Sequence, residues 1–372
     1  MSEFRIAKLV AGGDGLAFDG GKAVFIAGVL PGERVEARVT ERRKDFDRAR
    51  LVKVIDPSPS RVLPACSLAG ECGGCDWMHI SYEEQLRQKV SLVRETLRRT
   101  GGIEIDVLEI EPSRPLASRN RAQLHRDGEG RLGYMAAAAH RIVPVRTCPI
   151  VVPGIEAFFA GVEKAPEGLD RFTVFSDGAG AAAEGRDEER DLSVVVRGKR
   201  IQLSVGCFFQ SNLMMLEKLV PVVVDGLSGA TAADLYCGVG LFASFLAPHF
   251  SRVICVESSG MSIGYARRNV GGEQNEFHPM SAESWLASGA ARGPFDAVVV
   301  DPPRIGLSPV VRAWIGATRP TTVRYVSCNS VTLAHDLAQL LREGMLLEEI
   351  RLFDFYPQTS HVEAVARLRG PR

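Results

Sequence analysis

The chain has 372 residues, 45% of them hydrophobic and 24% charged, which is more than one ordinary core absorbs, so two or three domains are expected. This balance excludes a disordered chain, and no apolar run is long enough to span a bilayer. Lys plus Arg equals Asp plus Glu at 45 each, so net charge singles out no polyanionic partner, and the N-terminus "MSEFRIAKLVAGGDG" lacks the apolar core of a secretory signal, which favours the cytoplasm.

Residues 1–56 alternate in short runs such as "AVFIAGVL", "RVEARVT" and "RLVKVI", separated by Gly, Pro and charge. That pattern predicts a small all-β barrel. "DPSPSRVLP" marks a boundary, and residues 57–205 form a second, mixed α+β unit. Its first feature is "CSLAGECGGC", which places Cys66, Cys72 and Cys75 at metal-ligand spacing, with Cys148 in "RTCPI" able to complete a four-thiolate set. Zinc and an iron–sulfur cluster both satisfy that count. Trp77, Met78 and His79 follow and are expected to shield the site. Next, "SYEEQLRQKVSLVRETLRRT" predicts a helix over 81–100 that can pack on the catalytic unit. Ser81 and Glu84 form a capping-box pair, Leu86, Val90, Val93 and Leu97 share a face, and Gly101 stops the helix. Residues 114–146 carry seven Arg against Asp127 and Glu129, a patch able to neutralise phosphates or simply to be solvated. The loop "SDGAGAAAEGRDEERD" is polar and expected to be mobile.

From 206 to 372 the pattern changes. "TAADLYC", "RVICVE", "FDAVVVD" and "VRYVSC" are short apolar strands separated by helix-length segments, which predicts a doubly wound α/β sheet. "LLEEIRLFDFYP" and "HVEAVARLR" predict a closing antiparallel pair. In "DLYCGVGLFASFLA", Gly238 and Gly240 let the backbone approach a ligand, with Ala243 in the helix-packing position. Glu257 ends the next strand, where a carboxylate can accept hydrogen bonds from both ribose hydroxyls. A nucleoside is therefore expected, either a dinucleotide or S-adenosylmethionine. Asp301 in "VVVDPPRIGLS" stands at a strand's carboxyl end with two stiffening prolines behind it. An acid followed by two prolines here resembles the fourth motif of Rossmann-like S-adenosylmethionine methyltransferases. Arg304, where amine-methylating enzymes carry an aromatic residue, argues against that branch.

Cys328 in "RYVSCNS" ends the next strand, and Glu363 lies beyond in "SHVEAVARL". Each alone reads as an ordinary core or solvated residue. Together they meet the needs of pyrimidine chemistry. Carbon-5 of uracil is a poor nucleophile, but thiolate addition at carbon-6 makes an enolate that can attack a sulfonium methyl group. A base must then remove the carbon-5 proton so that the thiol can leave.

"SCNSVTLAHDL", "HVEAV", "DPPRIG", "DLYCGVGLF" and "GCFFQSN" together resemble the bacterial 5-methyluridine RNA methyltransferase family over essentially the full length. The resemblance implies a class I methyltransferase domain behind an N-terminal TRAM domain, an oligonucleotide-binding type of barrel. A monomer is expected, and the lack of a long apolar run predicts no membrane association. It implies Cys328 as nucleophile and Glu363 as base. Gln210 is expected to contact the donor or the uracil edge, and Tyr236, Glu257 and Asp301 to line the donor pocket. Cluster-bearing members share CGGC and the distant Cys-Pro, which favours a [4Fe–4S] cluster on Cys66, Cys72, Cys75 and Cys148. The radical spacing CxxxCxxC is absent, so that cluster is expected to be structural or RNA-positioning. The substrate is then a uridine in RNA, with ribosomal RNA favoured over transfer RNA. Three departures stand out, Ser330 for the usual Pro, His335 for Arg, and Gln358 with Ser360 in a lead-in usually rich in His. The competing readings are methylation of cytosine or of an exocyclic amine on the same fold, and an RNA-binding scaffold without catalysis.

Overall fold

The computed structural model describes residues 1–137, 139, 141–161 and 168–371. A six-stranded sheet opens the chain, in the order Ser2–Arg5, Arg34–Arg42, Phe46–Asp56, Lys22–Ile26, Gly15–Asp19, Lys8–Leu9. Its strands alternate, so that Phe4, Ala17, Val24, Ile26, Val35 and Ala37 point into one small core. Three register shifts between Arg34–Arg42 and Phe46–Asp56 add twist and curl the sheet onto that core.

A second sheet of five antiparallel strands runs Ile142–Pro144, Leu132–Met135, Arg121–Arg126, Arg171–Ser176, Ala181–Ala183. The last of these falls inside the loop expected to be mobile. Ala182 and Ala183 are buried there, and the Glu184 and Asp187 carboxylates accept the backbone N–H groups of Thr173 and Ala183. Small side chains let a polar-looking segment close against the sheet.

Residues 192–205 depart from the expected boundary. The hairpin Leu192–Val196 and Lys199–Leu203 shares a core with helix Leu213–Val224 and with the strands of the α/β sheet. It therefore packs as part of the C-terminal unit.

That unit is built on eight strands in the order Glu276–His278, Phe250–Val256, Gly229–Leu235, Ala297–Val300, Thr322–Ser327, Glu363–Arg369, Leu346–Phe353, Glu109–Glu111. The first five are parallel, and Glu363–Arg369 runs antiparallel between two neighbours. The order of strand addition reverses between Gly229–Leu235 and Ala297–Val300, the switch point at which such sheets bind ligands.

The expected helix starts at Tyr82, with Ser81 as its N-cap. The Ser81 hydroxyl makes no capping bond, and Glu84 instead receives hydrogen bonds from Arg87 and Gln88. The helix is regular to Thr96, widens over Leu97–Gly101 and stops at Gly102 (φ 64°), one residue beyond the expected glycine. Val93 and Leu97 join the core beneath the α/β sheet, while Gln85 and Lys89 are also fully buried. No helix among the described residues is long and apolar enough to cross a membrane.

Candidate active site

The strand–turn–helix at 229–246 holds its glycines for different reasons. Gly238 (φ 54°) has nothing within 4 Å of where a Cβ would lie, so its backbone faces open space. Gly240 (φ 80°) packs on the following helix, where a Cβ would stand 3.0 Å from Val270 Cγ2 and 3.1 Å from Ala266. The second glycine thus serves helix packing, a role the sequence reading had given to Ala243. Ala243 is buried and donates its N–H to Asp234 Oδ2 at 2.9 Å. Asp234 is a buried acid behind the turn that the sequence reading did not single out. It is fully buried with Oδ1 unpartnered, and burial pushes its carboxyl up to about 8. Its signal was available, an acid at a strand end just before a glycine turn.

Glu257 closes the neighbouring strand end. Its carboxylate accepts the Gly238 N–H at 3.2 Å and the Ser259 N–H at 2.8 Å, which fixes it against the turn. Tyr236 stands in the left-handed region (φ 63°) at the start of the same turn. Across the switch point, Gln210 is buried and donates to Asp301 Oδ2 at 3.3 Å. Burial pushes Asp301 up to about 7, opposed by that amide.

The decisive juxtaposition comes from strand register. Ser327 pairs with Ala364, so Cys328 and Glu363, the next residue on each strand, face one another across neighbouring strands. Glu363 is buried, and its carboxyl is raised well above the usual range by desolvation and then by the nearby Asp301 charge. Burial, followed by the Glu363 charge, pushes the Cys328 thiol up to about 11, while Arg304 draws it down. Arg304 is a second residue that the sequence reading noted only as an exclusion. Its carbonyl accepts hydrogen bonds from Asn329 Nδ2 at 2.9 Å and Thr332 Oγ1 at 3.2 Å, which braces it beside the thiol.

Cys328 opens into a cleft lined by Gly12 of the N-terminal sheet, Lys89, Arg304, Ser360 and His361. The cleft runs on past Gly73, Gly74 and Asp76 of the cysteine loop to Arg119. All three units therefore contribute a wall. The Arg-rich strip does not form one basic face. Arg131 pairs with Asp127 and Arg141 with Glu71, and Arg121 donates to the Cys207 carbonyl and lies over Phe208. Phe208, two residues before Gln210, is 64% exposed, an aromatic surface that the sequence reading passed over.

Cys66, Cys72, Cys75 and Cys148 line one apolar pocket with Leu68, Met78, Tyr134 and Ile150. Burial raises three of these thiols, Cys75 to about 12, while the Arg119 guanidinium at the same pocket draws Cys72 and Cys75 back down. The Gly74 N–H points at Cys72 Sγ at 3.4 Å. Among the described residues no three His, Cys, Asp or Glu side chains gather closely enough to grip a single ion. Of the expected shield, Met78 lines the pocket, while Trp77 turns its indole N–H to the Gly13 carbonyl at 3.1 Å.

The departures have local explanations. Ser330 is the first residue of helix Ser330–Arg342, a position where Pro is favoured but not required, and Asn329 supplies the cap through Val331 N–H. His335 leans on Asp336, at 3.3 Å. Asp336 also binds Arg312, Tyr325 and the Leu307 N–H, so the loop after Asp301 is held without an Arg at 335.

The family model described as tRNA (uracil-5-)-methyltransferase matches residues 187–288 and 290–369. An RNA methyltransferase of Bdellovibrio bacteriovorus, itself uncharacterized, is 33% identical over 385 residues, covering 99% of this chain and 94% of the relative. The 23S rRNA (uracil(1939)-C(5))-methyltransferase RlmD of Pseudomonas fluorescens is 30% identical over 427 residues, covering 97% and 92%. The chain belongs to the 5-methyluridine RNA methyltransferase family. It is accordingly an S-adenosylmethionine-dependent RNA (uracil-5-)-methyltransferase. The crystal structure of Pyrococcus abyssi tRNA (uracil-54, C5)-methyltransferase with S-adenosyl-L-homocysteine matches with a TM-score of 0.76 at 24% identity, over 99% of this chain and all of that one, so the two share their fold.

Proposed function

We propose that this methyltransferase modifies carbon-5 of a uridine in ribosomal RNA through a transient bond between Cys328 and carbon-6. The observation that carries this reading is the register that sets Cys328 opposite Glu363, with Asp301 and Arg304 beside them. In the resting site the thiol holds its proton, so the first step needs positive charge. Arg304 supplies one and the donor's sulfonium a second, so that Cys328 and Glu363 both give up their protons to solvent through the open cleft before the sulfur attacks. Thiolate adds to carbon-6, carbon-5 takes the methyl group, and the donor leaves as the neutral thioether. Glu363 then takes the carbon-5 proton. The C–H electrons form the 5,6 double bond, and the C–S electrons return to Cys328.

Gln210 and Asp301 are suited to hold the donor or the uracil edge, and Gly238 with Glu257 the nucleoside of the donor. RNA would enter along the cleft from Arg119, with the uridine looped out of its stack to reach the thiol. Relatives of Pseudomonas, Vibrio and Pectobacterium named as 23S rRNA methyltransferases support ribosomal over transfer RNA. The four cysteines are suited to a [4Fe–4S] cluster. With every iron held by a thiolate it would act as a cross-link rather than a catalyst.

Two measurements test this. Cys328→Ala should abolish turnover and the covalent complex with 5-fluorouridine RNA, in which fluorine cannot leave as a proton does. Full activity in that variant refutes the mechanism. Mapping 5-methyluridine in RNA from a strain lacking the protein identifies the target. A missing mark in transfer RNA alone would overturn the ribosomal assignment.

A further inference from the structure

Gln358 sits five residues before Glu363 and occupies the left-handed region (φ 67°), which costs a non-glycine residue free energy and must be held in place. It is held from every side. Its backbone N–H donates to Gln85 Oε1 at 2.9 Å, its carbonyl accepts the Trp77 N–H at 3.0 Å, and its side-chain amide reaches the Pro115 carbonyl at 3.1 Å. Gln85 Nε2 returns a bond to Gln358 Oε1 at 3.0 Å and also reaches the Trp77 and Ile80 carbonyls. Two residues on, the Ser360 N–H donates to the Asp76 carboxylate at 3.0 Å. One step away, Trp77 bonds Gly13 of the N-terminal sheet. Both glutamines are buried, so every bond that is broken leaves an unsatisfied polar group.

This segment is the only covalent lead-in to the strand that carries Glu363, and Ser360 and His361 within it line the cleft beside Cys328. We infer that Gln358 and Asp76 are positioning residues for the last chemical step: they clamp residues 356–361 to the cysteine loop and so set where Glu363 meets the carbon-5 proton. The inference rests on the assignment of Glu363 as base. The clamp has no part in forming the Cys328–carbon-6 bond, because the strand that carries Cys328 is braced separately by Arg304 and Asn329. Loosening the clamp therefore slows removal of the proton and departure of the thiolate, and leaves the earlier addition and methyl transfer alone.

The test follows the methylated protein–RNA adduct on denaturing gels in single-turnover reactions with unmodified uridine RNA. Glu363→Gln is the reference and should trap the adduct. Asp76→Ala and Gln358→Met should let the adduct form at the wild-type rate and resolve it about 10- to 100-fold more slowly, the loss that a displacement of about an ångström brings. KM for the donor should stay within about twofold. Asp76→Asn keeps an acceptor oxygen for Ser360 and should restore wild-type resolution. Asp76 is exposed, so its variants are expected to fold, and they decide the matter alone if Gln358→Met does not. The clamp is refuted if Asp76→Ala resolves the adduct at the wild-type rate, if it fails to form adduct, or if Asp76→Asn is as defective as Asp76→Ala. If Glu363→Gln itself traps nothing, the assignment of the base fails, and with it the clamp.

Discussion

Removing the amine of Lys89 should be among the most damaging single changes outside the chemistry. Lys89 and Asp354 are both fully buried, with Nζ 2.5 Å from Oδ1, and Nζ also donates to the Tyr356 carbonyl at 2.9 Å. Burial depresses the lysine, and the Asp354 charge and hydrogen bond oppose it. In Lys89→Met the carboxylate keeps only the Tyr82 hydroxyl, at 2.8 Å, and the Tyr356 carbonyl loses this donor. A buried charge stripped of its partner costs about 3–5 kcal/mol. Replacing both members with apolar residues removes the orphan, so Lys89→Met/Asp354→Leu should regain all but about 1 kcal/mol of that loss. Urea titration followed by Trp77, which is buried at this junction, reads the difference as a midpoint shift of about 1–3 M. A Lys89→Met loss below about 1 kcal/mol, or a double variant whose loss is the sum of the two single losses, refutes the reasoning.

The two glycines of the donor turn should behave differently. Gly240→Ala forces a Cβ against Val270 and Ala266 and should cost about 1–3 kcal/mol of stability, whereas Gly238→Ala should fold with a smaller loss yet bind S-adenosylhomocysteine at least tenfold more weakly by calorimetry. Equal effects of the two on stability would contradict the roles given them. Because the Cys328 thiol is pushed up, its reactive fraction grows as pH rises. Adduct formation with 5-fluorouridine RNA should therefore accelerate from about pH 7 to 9, and Arg304→Met should slow it at every pH in that range. A flat profile would mean that the thiol is already ionised. Cys75→Ser should lower bound iron and acid-labile sulfide by elemental analysis, and zinc in the wild type would replace the cluster assignment.

Much of the site could be read from the chain because each of its parts is local. The glycine turn, Glu257, Asp301 and Cys328 all lie at carboxyl ends of short apolar strands, where one stretch of sequence reveals both strand and tip. What joins them is not local. Nothing in "HVEAVARLR" says that it inserts between Thr322–Ser327 and Leu346–Phe353, yet that insertion alone sets Glu363 against Cys328. Lys89 and Gln85 were invisible for a related reason. Helical periodicity assigns Leu86, Val90, Val93 and Leu97 to the inner face and cannot foresee that the residues beside them meet Asp354 and Gln358 from a segment more than 260 positions away. The hairpin at 192–205 was misassigned because a short amphipathic pair packs equally well on either neighbour, and composition does not choose between them.

In chain order the strand bearing Glu363 follows the other described strands of its sheet. Until residues 363–369 are in place, Thr322–Ser327 and Leu346–Phe353 have no partner between them and Cys328 has no Glu363 opposite. On the roles proposed above, the strand that fills this gap in the sheet also delivers the group that frees the product.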